Sequence, residues 1–333
     1  MTVRVGLIGA GVMGADHAVT LASAVAGATL AAVADADADR MAAIVARCGA
    51  ERTHADPHAL IHDPAVDAVL IASPDATHAA LVLDCLGRGK PVLCEKPLAP
   101  SAAECVEIVA KESALGRRLV QVGFMRRFDP GYVAMQRVLA ARELGAPLLL
   151  HCIHRNRTAP PFIDSQSLIA NSAVHEIDIA RWLLGQEIAR ATVVRSRSTS
   201  RATIRDPQFI LLEMADGVLV DVEVFVNAQY GYDVRGELVC EAGTVALAPP
   251  RAVQLRASGS EGFRHAPDWR ERFAAAYRAQ LQAWIGAVQS GVPAGASAWD
   301  GYAATAVADA CLASLRTGQP AAVHLEPRPA LYA

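Results

Sequence analysis

The feature of this sequence that most constrains its fold is a glycine-rich turn directly after the first apolar segment. The apolar run VRVGLI is followed by GAGVMG, which carries Gly9, Gly11 and Gly14, and then by an apolar segment of helical spacing. In a strand–turn–helix unit the first glycine permits a tight turn, the second lets the backbone approach a pyrophosphate, and the third lets helix and strand pack closely. The residues predicted to hold a dinucleotide pyrophosphate are the three glycines with Val12 and Met13, whose N–H groups open the helix.

A carboxylate at the end of the next apolar run indicates which dinucleotide binds. The run TLAAVA ends at Asp35, 21 residues after Gly14. An acid at this position accepts hydrogen bonds from the ribose hydroxyls and repels a 2′-phosphate, and the neighbours Ala36 and Asp37 supply no cation. We therefore expect NAD rather than NADP. The alternative is a glycine turn in an α/β domain that binds no nucleotide.

The length and charge of the chain restrict the kind of partner. A single hydrophobic core stops growing near ~250–300 residues, so 333 residues predict two domains. The chain is 53% hydrophobic and 20% charged, which is enough apolar material for two cores. The net charge of −3 gives no basic excess that would attract nucleic acid or an anionic membrane. We expect a small-molecule partner.

The N-terminus and the cysteines indicate the compartment. The first residues form a strand and a glycine turn, without the plan of a signal peptide, and no apolar run approaches the ~18 residues of a membrane span. The seven cysteines are scattered and form no CxxC pair, so neither a disulfide framework nor a zinc site is indicated. We expect a cytoplasmic protein without a bound metal.

The hydrophobic pattern changes about one third of the way along the chain. Short apolar strands alternate with helical segments up to residue 122, which predicts a doubly wound parallel sheet over residues 1–122. From residue 123 to residue 333 the strands are longer and alternate in polarity, which predicts an α/β domain with a large, mainly antiparallel open sheet. The strands predicted in the first domain are 3–8, 29–34, 68–72, 91–94 and 119–122. Those predicted in the second are 148–154, 208–214, 218–226, 237–241 and 244–247.

Two further segments carry residues with chemical potential. Lys96, in VLCEKPL, follows a predicted parallel strand at its carboxyl end, where open α/β sheets bind ligands. Asn171 and His175 are spaced i and i+4 at the predicted start of a helix, with Asp178 three residues further on, so they share one face. Histidine there can exchange protons with a substrate. The alternatives are a solvated lysine and a structural histidine; the HExxH zinc motif fails because position 179 is Ile.

Six motifs in order resemble the Gfo/Idh/MocA family, with the nearest likeness to its inositol dehydrogenases. The resemblance spans roughly residues 3–320. The motifs are GLIGAGVMG at 6–14, CEKPLA at 94–99, QVGFMRRFDPGY at 121–132, HRN at 154–156, NSAVHEIDIARWLLG at 171–185 and QYGYDVRGELVCEAG at 229–243.

The resemblance implies a Rossmann domain, a second domain whose open sheet packs into tetramers, and hydride transfer between nicotinamide and a polyol or sugar carbon. It assigns Lys96 to the oxygen that reacts and His175 to general acid–base catalysis. It implies a substrate pocket formed by Lys96, Arg126, His154, Asn156, Asn171, His175, Asp178 and Tyr232. It places Ser73, Pro74 and His78 beside the nicotinamide ribose, with Glu95 and Lys96 nearby.

One position departs from the resemblance. Inositol dehydrogenases of the family usually carry Asp where this chain has Asn171, the partner of the catalytic histidine. An amide can orient an imidazole, but it cannot stabilise imidazolium with a negative charge. The expected activity is NAD-dependent oxidation of myo-inositol or a related inositol. The alternatives are a dehydrogenase of scyllo-inositol, an anhydrosugar, an amino-polyol or a pyranose, and a dinucleotide-binding sensor without turnover.

Overall fold

The computed structural model describes residues 1–159, 163–248 and 253–333, which form two compact units. Among these residues, no helix has the length and hydropathy that a membrane span needs. The first unit consists of Met1–Phe128, Ala275–Thr305 and Leu325–Ala333. The second consists of Asp129–Ala274 and Ala306–His324.

The first unit contains a six-stranded parallel sheet with the strand order β3-β2-β1-β4-β5-β6. The order reverses between β1 and β4, so the carboxyl ends of these strands border the crevice where such sheets bind ligands. The strands are β1 Val3–Ile8, β2 Ala28–Ala34, β3 Arg52–His54, β4 Ala68–Ile71, β5 Val92–Cys94 and β6 Val120–Val122. The helices are α1 Val12–Ala24, α2 Ala38–Cys48, α3 Pro57–His62, α4 His78–Gly87 and α5 Ala102–Leu115.

The predicted doubly wound parallel sheet is confirmed. All five strands predicted for it are present, and the sequence prediction missed only β3 of the six. That strand reads Arg-Thr-His and lies at the sheet edge, so it lacks the apolar run by which buried strands are recognised.

A helix from the C-terminal part of the chain completes the core of the first unit. Helix α8 spans Trp269–Ser290, and its Leu281, Trp284 and Ile285 pack with Leu7 and Leu30 of the sheet. Residues 275–305 and 325–333 therefore lie outside the continuous second domain predicted from the sequence and group with the first unit instead. Tertiary packing decides that the chain returns to the first unit, because the apolar face of a helix does not specify which sheet it will pack against.

The second unit contains a seven-stranded sheet with the order β12-β11-β7-β10-β9-β8-β15. Only the β7–β10 pair is parallel within this sheet, which confirms the predicted mainly antiparallel sheet. The strands are β7 Pro147–Arg155, β8 Ile188–Val194, β9 Gln208–Met214, β10 Leu219–Phe225, β11 Asp233–Cys240, β12 Gly243–Ala246 and β15 Ala321–Ala322. A separate hairpin pairs β13 Leu255–Ala257 with β14 Ser260–Gly262. The remaining helices are α6 Pro130–Ala140, α7 Val174–Leu184 and α9 Ala298–Thr317.

The sequence prediction of this sheet was incomplete. It missed β8, β13, β14 and β15, and it began β11 four residues late. Strand β8 reads IARATVV, in which alanine and arginine interrupt the alternation that marks a half-buried strand. Side chains alternate along β9 and β10 between the core and an exposed face, so one face of the sheet is covered and the other is open. Helix α7 packs against β7, and most of its own residues are buried.

Candidate functional site

The glycine turn of the first unit connects β1 to α1, and sterics require two of its glycines. Gly9 has φ +93, a conformation that side chains disfavour. A Cβ on Gly14 would lie 1.8 Å from the carbonyl oxygen of Gly9, so only glycine allows this approach. A Cβ on Gly11 would meet no heavy atom of the described residues within 4 Å. The N–H of Gly9 donates to the Ala34 carbonyl at 2.8 Å, so the pairing of β1 with β2 continues into the turn.

The carboxylate of Asp35 is fixed beside this turn. Its Oδ2 accepts from the N–H of Ala10 at 2.6 Å, and its Oδ1 accepts from the N–H of Asp37 at 2.8 Å. No side chain of the described residues caps the start of α1, so the N–H groups that open the helix have no side-chain acceptor there. A turn with open N–H groups and an adjacent acid fits a dinucleotide, because the pyrophosphate needs donors and the ribose hydroxyls need an acceptor.

The buried side chain of His78 joins the loop that follows β4 to the loop that follows β5. Its Nδ1 lies 2.7 Å from the carbonyl oxygen of Pro97, and its Nε2 lies 3.0 Å from that of Ser73. The neighbouring Ser73 hydroxyl shares a hydrogen bond with Thr77 at 2.7 Å, and Thr77 also donates to the Pro74 carbonyl. Because both ring nitrogens of His78 face backbone carbonyls, this side chain links the two loops and positions Ser73 and Pro74.

Glu95 lies at the end of β5 and points into the unit. Its Oε1 is 2.8 Å from Nε2 of His17, and its Oε2 accepts from the backbone N–H of Lys96 at 3.2 Å. The neighbouring Lys96 is half-buried at the carboxyl end of the sheet, where the sequence predicts it. Burial raises the pKa of the adjacent Cys94 thiol well above its usual value, so this cysteine is a neutral core group. The importance of His17 was missed; its spacing three residues after Gly14, on the inner face of α1, was the available signal.

In the second unit three aromatic polar side chains lie together. His154 on β7 and His175 on α7 have ring centroids 6.3 Å apart, and the Tyr232 ring lies 5.7 Å from that of His154. The Tyr232 hydroxyl and Nε2 of His154 are 3.5 Å apart. All three residues are buried. The structure therefore brings together three residues that the family resemblance assigned to one pocket.

A carboxylate that the sequence analysis did not name supports this cluster. Oε2 of Glu176 lies 3.2 Å from Nδ1 of His154, and both side chains are buried. Asp178, which the sequence analysis did name, is also buried on α7. The signal for Glu176 was available, because an acid adjacent to His175 must find a polar partner if the helix is covered.

Two asparagines complete the predicted residues of this unit. Asn171 lies in a π-helical turn, Leu168–Ala173, and α7 begins only at Val174, so the predicted regular helix through both Asn171 and His175 was wrong. A π turn closes i→i+5 hydrogen bonds, so the i, i+4 argument for a shared face does not apply across it.

The side-chain oxygen of Asn156 is buried and accepts no hydrogen bond from the described residues, which suits an acceptor for a ligand hydroxyl.

Arg126, which the family resemblance assigns to the substrate pocket, belongs to the first unit. Arg126 lies in a short helix, Met125–Phe128, and only 1% of it is exposed. Imidazole groups near neutral pH can take up or release a proton, and the surrounding phenol, amide and carboxylates can bind several hydroxyls. In the described part of the chain, no group of three or more His, Cys, Asp or Glu residues is arranged to hold a metal ion.

Comparison with known proteins identifies the family of this chain. A model of an oxidoreductase family with an NAD-binding Rossmann fold matches residues 3–124, and a model of the GFO/IDH/MocA C-terminal domain matches residues 132–246. The chain is 58% identical to inositol 2-dehydrogenase 1 of Saccharopolyspora erythraea, with 100% of this chain and 99% of the relative covered. It is 44% identical to an inositol 2-dehydrogenase of Burkholderia cenocepacia, with 100% and 99% covered.

A solved structure is similar to this chain over its full length. The crystal structure of myo-inositol dehydrogenase from Lactobacillus casei, in complex with NAD(H) and myo-inositol, superimposes with a TM-score of 0.96 and is 33% identical. The match covers 100% of both chains. Two family models that together span most of the sequence and relatives that align over its full length confirm the resemblance inferred from the motifs: this chain belongs to the Gfo/Idh/MocA family of NAD-binding oxidoreductases.

Proposed function

We propose that this protein is an NAD-dependent dehydrogenase that oxidises a ring hydroxyl of myo-inositol, or of a closely related inositol, to the ketone. The observation that carries the substrate class is the buried cluster of His154, His175 and Tyr232, with Glu176 behind it. A polyol presents hydroxyls in several directions, and a pocket of imidazole, phenol and carboxylate groups can bind each of them as donor or acceptor. The full-length relatives with inositol dehydrogenase names support the same substrate.

The residues of the first unit fit NAD. The N–H groups of Val12, Met13 and Gly14 would hold the pyrophosphate, and the carboxylate of Asp35 would accept from the adenosine ribose. When NAD is bound, it supplies the acceptor for a hydride.

Since Asp35 repels a 2′-phosphate, an Asp35→Ser variant should lose most of the preference for NAD over NADP. The ratio of kcat/KM for the two cofactors measures this, with Asp39→Ala, an exposed acid on the next helix, as the control.

His175 and Lys96 divide the work at the reacting hydroxyl. The imidazole of His175 removes the hydroxyl proton, while the ammonium of Lys96 donates a hydrogen bond to the oxygen and steadies its developing charge. The other polar residues, Arg126, His154, Asn156, Asn171, Asp178 and Tyr232, orient the ring so that one C–H faces the cofactor.

The decisive experiment is an assay of NADH formation across the inositol stereoisomers and common pyranoses. We expect the highest kcat/KM with myo-inositol and a lower value with scyllo-inositol. Preference for a pyranose, an anhydrosugar or an amino-polyol would reject the proposed substrate while keeping the oxidoreductase. Tight NADH binding without turnover on any polyol would identify a dinucleotide-binding sensor instead.

Two variants test the catalytic assignments separately. Lys96→Ala and His175→Ala should each lower kcat by roughly 10²–10⁴-fold, because each removes a group that acts on the reacting oxygen. NADH affinity of the His175 variant should be unchanged. The controls are Lys111→Ala and His62→Ala, which remove exposed side chains of the same types. Full activity of either active-site variant on the best substrate would overturn its role.

The protein is further proposed to form a homo-oligomer, in the family's tetrameric arrangement, through the open face of the seven-stranded sheet. Phe209 and Leu219 are exposed large apolar residues in strands β9 and β10, and Val194, which pairs with Phe209, is exposed on the same face of β8. Apolar side chains grouped on one sheet face mark an association surface. Light scattering after size exclusion should give a mass well above 35.0 kDa, and Phe209→Lys should lower it. A parent that elutes as a monomer would reject this.

The cysteines support a reducing, cytoplasmic location. All seven are free thiols, and six of them are buried. Disulfides are rare where thiols are kept reduced. Titration of denatured protein, prepared without reductant, should count seven thiols; a lower count in freshly isolated protein would argue against this compartment.

A further inference from the structure

A buried acid lies at the end of the seven-stranded sheet, one row beyond His154. His154 on β7 and Gln208 on β9 pair with the same residue of β10, and both are buried. Each of these strands has a neighbour two residues further along the sheet, which is Asn156 after β7, Val226 after β10 and Asp206 before β9. Asp206 has no exposed surface. The acid therefore lies at the carboxyl end of β7 and β10, at the level of Asn156.

The carboxylate of Asp206 accepts hydrogen bonds from residues that follow β10. Its Oδ1 accepts from the backbone N–H of Val226 at 3.0 Å, and its Oδ2 accepts from Nδ2 of Asn227 at 2.8 Å. Burial raises the pKa of Asp206, and these amide donors oppose the rise because they stabilise the ionised form. A buried carboxylate is costly unless its oxygens are hydrogen-bonded, so the acid fixes the groups that donate to it.

Asn227 extends this connection to the segment that follows β7. It is only 8% exposed, and its Oδ1 accepts from the backbone N–H of Ala159 at 3.2 Å. At the start of the same segment the N–H of Asn156 donates to the Phe225 carbonyl at 2.9 Å. The segment from Asn156 to Ala159 is therefore held at its first residue by strand pairing and at its last residue by the connection to Asp206.

We propose that Asp206 and Asn227 are positioning residues for the substrate pocket, because their hydrogen bonds set where the segment from Asn156 to Ala159 leaves the sheet. This inference rests on the proposed function, in which Asn156 and the nearby His154 orient the substrate ring. When the connection is lost, Asn156 moves relative to the ring and the substrate binds more weakly. The glycine turn of the first unit takes no part in the connection, so the pair acts on the substrate and not on NAD.

The test exchanges the two side chains. In Asp206→Asn one amide cannot accept both from the Val226 N–H and from the Asn227 amide, and in Asn227→Asp two buried carboxylates face each other. Each single change should raise the KM for the substrate by about tenfold or more, because a buried hydrogen bond is left unmade. The double variant Asp206→Asn/Asn227→Asp supplies every donor with an acceptor again, since the amide and the carboxylate have changed places. It should recover most of the parent's KM.

Two measurements separate this proposal from the proposed function. The KM is measured with the polyol or sugar that the parent oxidises best, so a substrate other than an inositol would reject the proposed function without affecting this test. Hydrogen exchange, which needs no substrate, should be faster at the amides of Ala159 and Val226 in both single variants and close to the parent's in the double variant. The Kd for NADH should change less than about twofold in all three variants.

Glu241→Gln is the matched control. Oε2 of Glu241 accepts from the backbone N–H of Ala146, directly before β7 begins, so this carboxylate supports the opposite end of the same strand. The substrate KM of this variant should equal that of the parent. If Asp206→Asn does not fold, Asn227→Ala removes the connection to Ala159 while Asp206 keeps the Val226 N–H, and the same rise in KM is expected.

Three results would overturn the proposal. The first is an unchanged substrate KM in folded Asp206→Asn or Asn227→Ala. The second is a double variant whose KM is no lower than that of the single variants, since the hydrogen-bond pattern would then not be the cause. The third is a loss of NADH affinity as large as the loss for the substrate, which would indicate a general loss of structure.

Discussion

Nε2 of His17 lies 2.8 Å from Oε1 of Glu95, and both side chains are buried in the first unit. His17 belongs to α1, the helix that opens at the glycine turn, and Glu95 precedes Lys96 at the end of β5. The other carboxylate oxygen of Glu95 accepts from the N–H of Lys96. The contact therefore links the helix that follows the glycine turn to the backbone of the proposed catalytic lysine.

We predict that His17→Leu lowers kcat more than it raises the KM for NAD, and that it lowers the free energy of unfolding by about 1–3 kcal/mol. The reason is that Glu95 loses its buried partner and no longer fixes the Lys96 backbone. His17→Gln, whose amide can donate to Glu95, should recover most of both losses. His58→Leu is the control, because its partly exposed contact with Asp84 should contribute less than about 1 kcal/mol. Equal effects of His17→Leu and His58→Leu would contradict a positioning role.

The glycine turn offers a prediction that separates folding from cofactor binding. Gly14→Ala should lower the free energy of unfolding by about 1–3 kcal/mol or more, since its Cβ would meet the Gly9 carbonyl at 1.8 Å. Gly11→Ala should leave stability within about 0.5 kcal/mol, because a Cβ there meets no described atom within 4 Å. It should nevertheless weaken NADH by about tenfold or more, since the Cβ stands where the pyrophosphate approaches. Chemical denaturation and fluorescence titration measure the two effects; unchanged NADH affinity in Gly11→Ala would reject the proposed pyrophosphate contact.

The amide at Asn171 is predicted to limit proton transfer. In Asn171→Asp a carboxylate replaces the amide and would favour the protonated imidazole of His175, which the family resemblance assigns as the partner of this position. Turnover should rise, and the acidic limb of the pH profile of kcat should move up by about one pH unit. Gln166→Glu, which adds the same charge at an exposed position of the same segment, should leave the profile unchanged. A large loss of turnover in Asn171→Asp would mean that the amide is matched to this protein's own ligand.

A buried carboxylate gives a prediction about pH and stability. Burial raises the pKa of Glu112 in the folded protein. Its contribution to stability is therefore fully present below the unfolded pKa of about 4.3 and is lost as pH rises through the higher folded value. Glu112→Gln cannot ionise, so its free energy of unfolding relative to the parent should increase as pH rises above about 4.3. Urea denaturation at several pH values measures this, and Glu107→Gln, exposed on the same helix, should show no such trend. A relative stability that falls with rising pH would contradict the direction of the shift.

The first unit could be predicted from the sequence to a large extent because its signals are local. The glycine turn, the carboxylate at Asp35 and the lysine at position 96 each follow an apolar strand directly, and parallel strands place their carboxyl ends at one edge. For residues that follow these strands, the position in the sequence therefore specifies a place at the carboxyl edge of the parallel sheet. The same reasoning failed for β3, a short polar edge strand without a run of apolar residues.

The second unit depended more on resemblance than on spacing. The likeness to the family grouped His154, His175 and Tyr232, but their sequence positions alone contain no reason for His154 on β7 to meet the other two. The π turn at Leu168–Ala173 also has no signature in the residue pattern, so the expected helical face through Asn171 was wrong. Contacts between residues far apart in the chain depend on how layers pack, and local pattern does not encode that packing.

The sequence by itself determined that this chain binds NAD and belongs to a family of oxidoreductases, because a strand, a glycine turn and a terminal acid carry their function in adjacent residues. Only the tertiary structure decided that His17 supports Glu95, that Glu176 contacts His154, and that Trp284 of helix α8 and Gln121 of β6 line one cavity. Gln121 and Trp284 lie 163 positions apart in the sequence. They meet because burying apolar helix and sheet faces brings distant segments of the chain together.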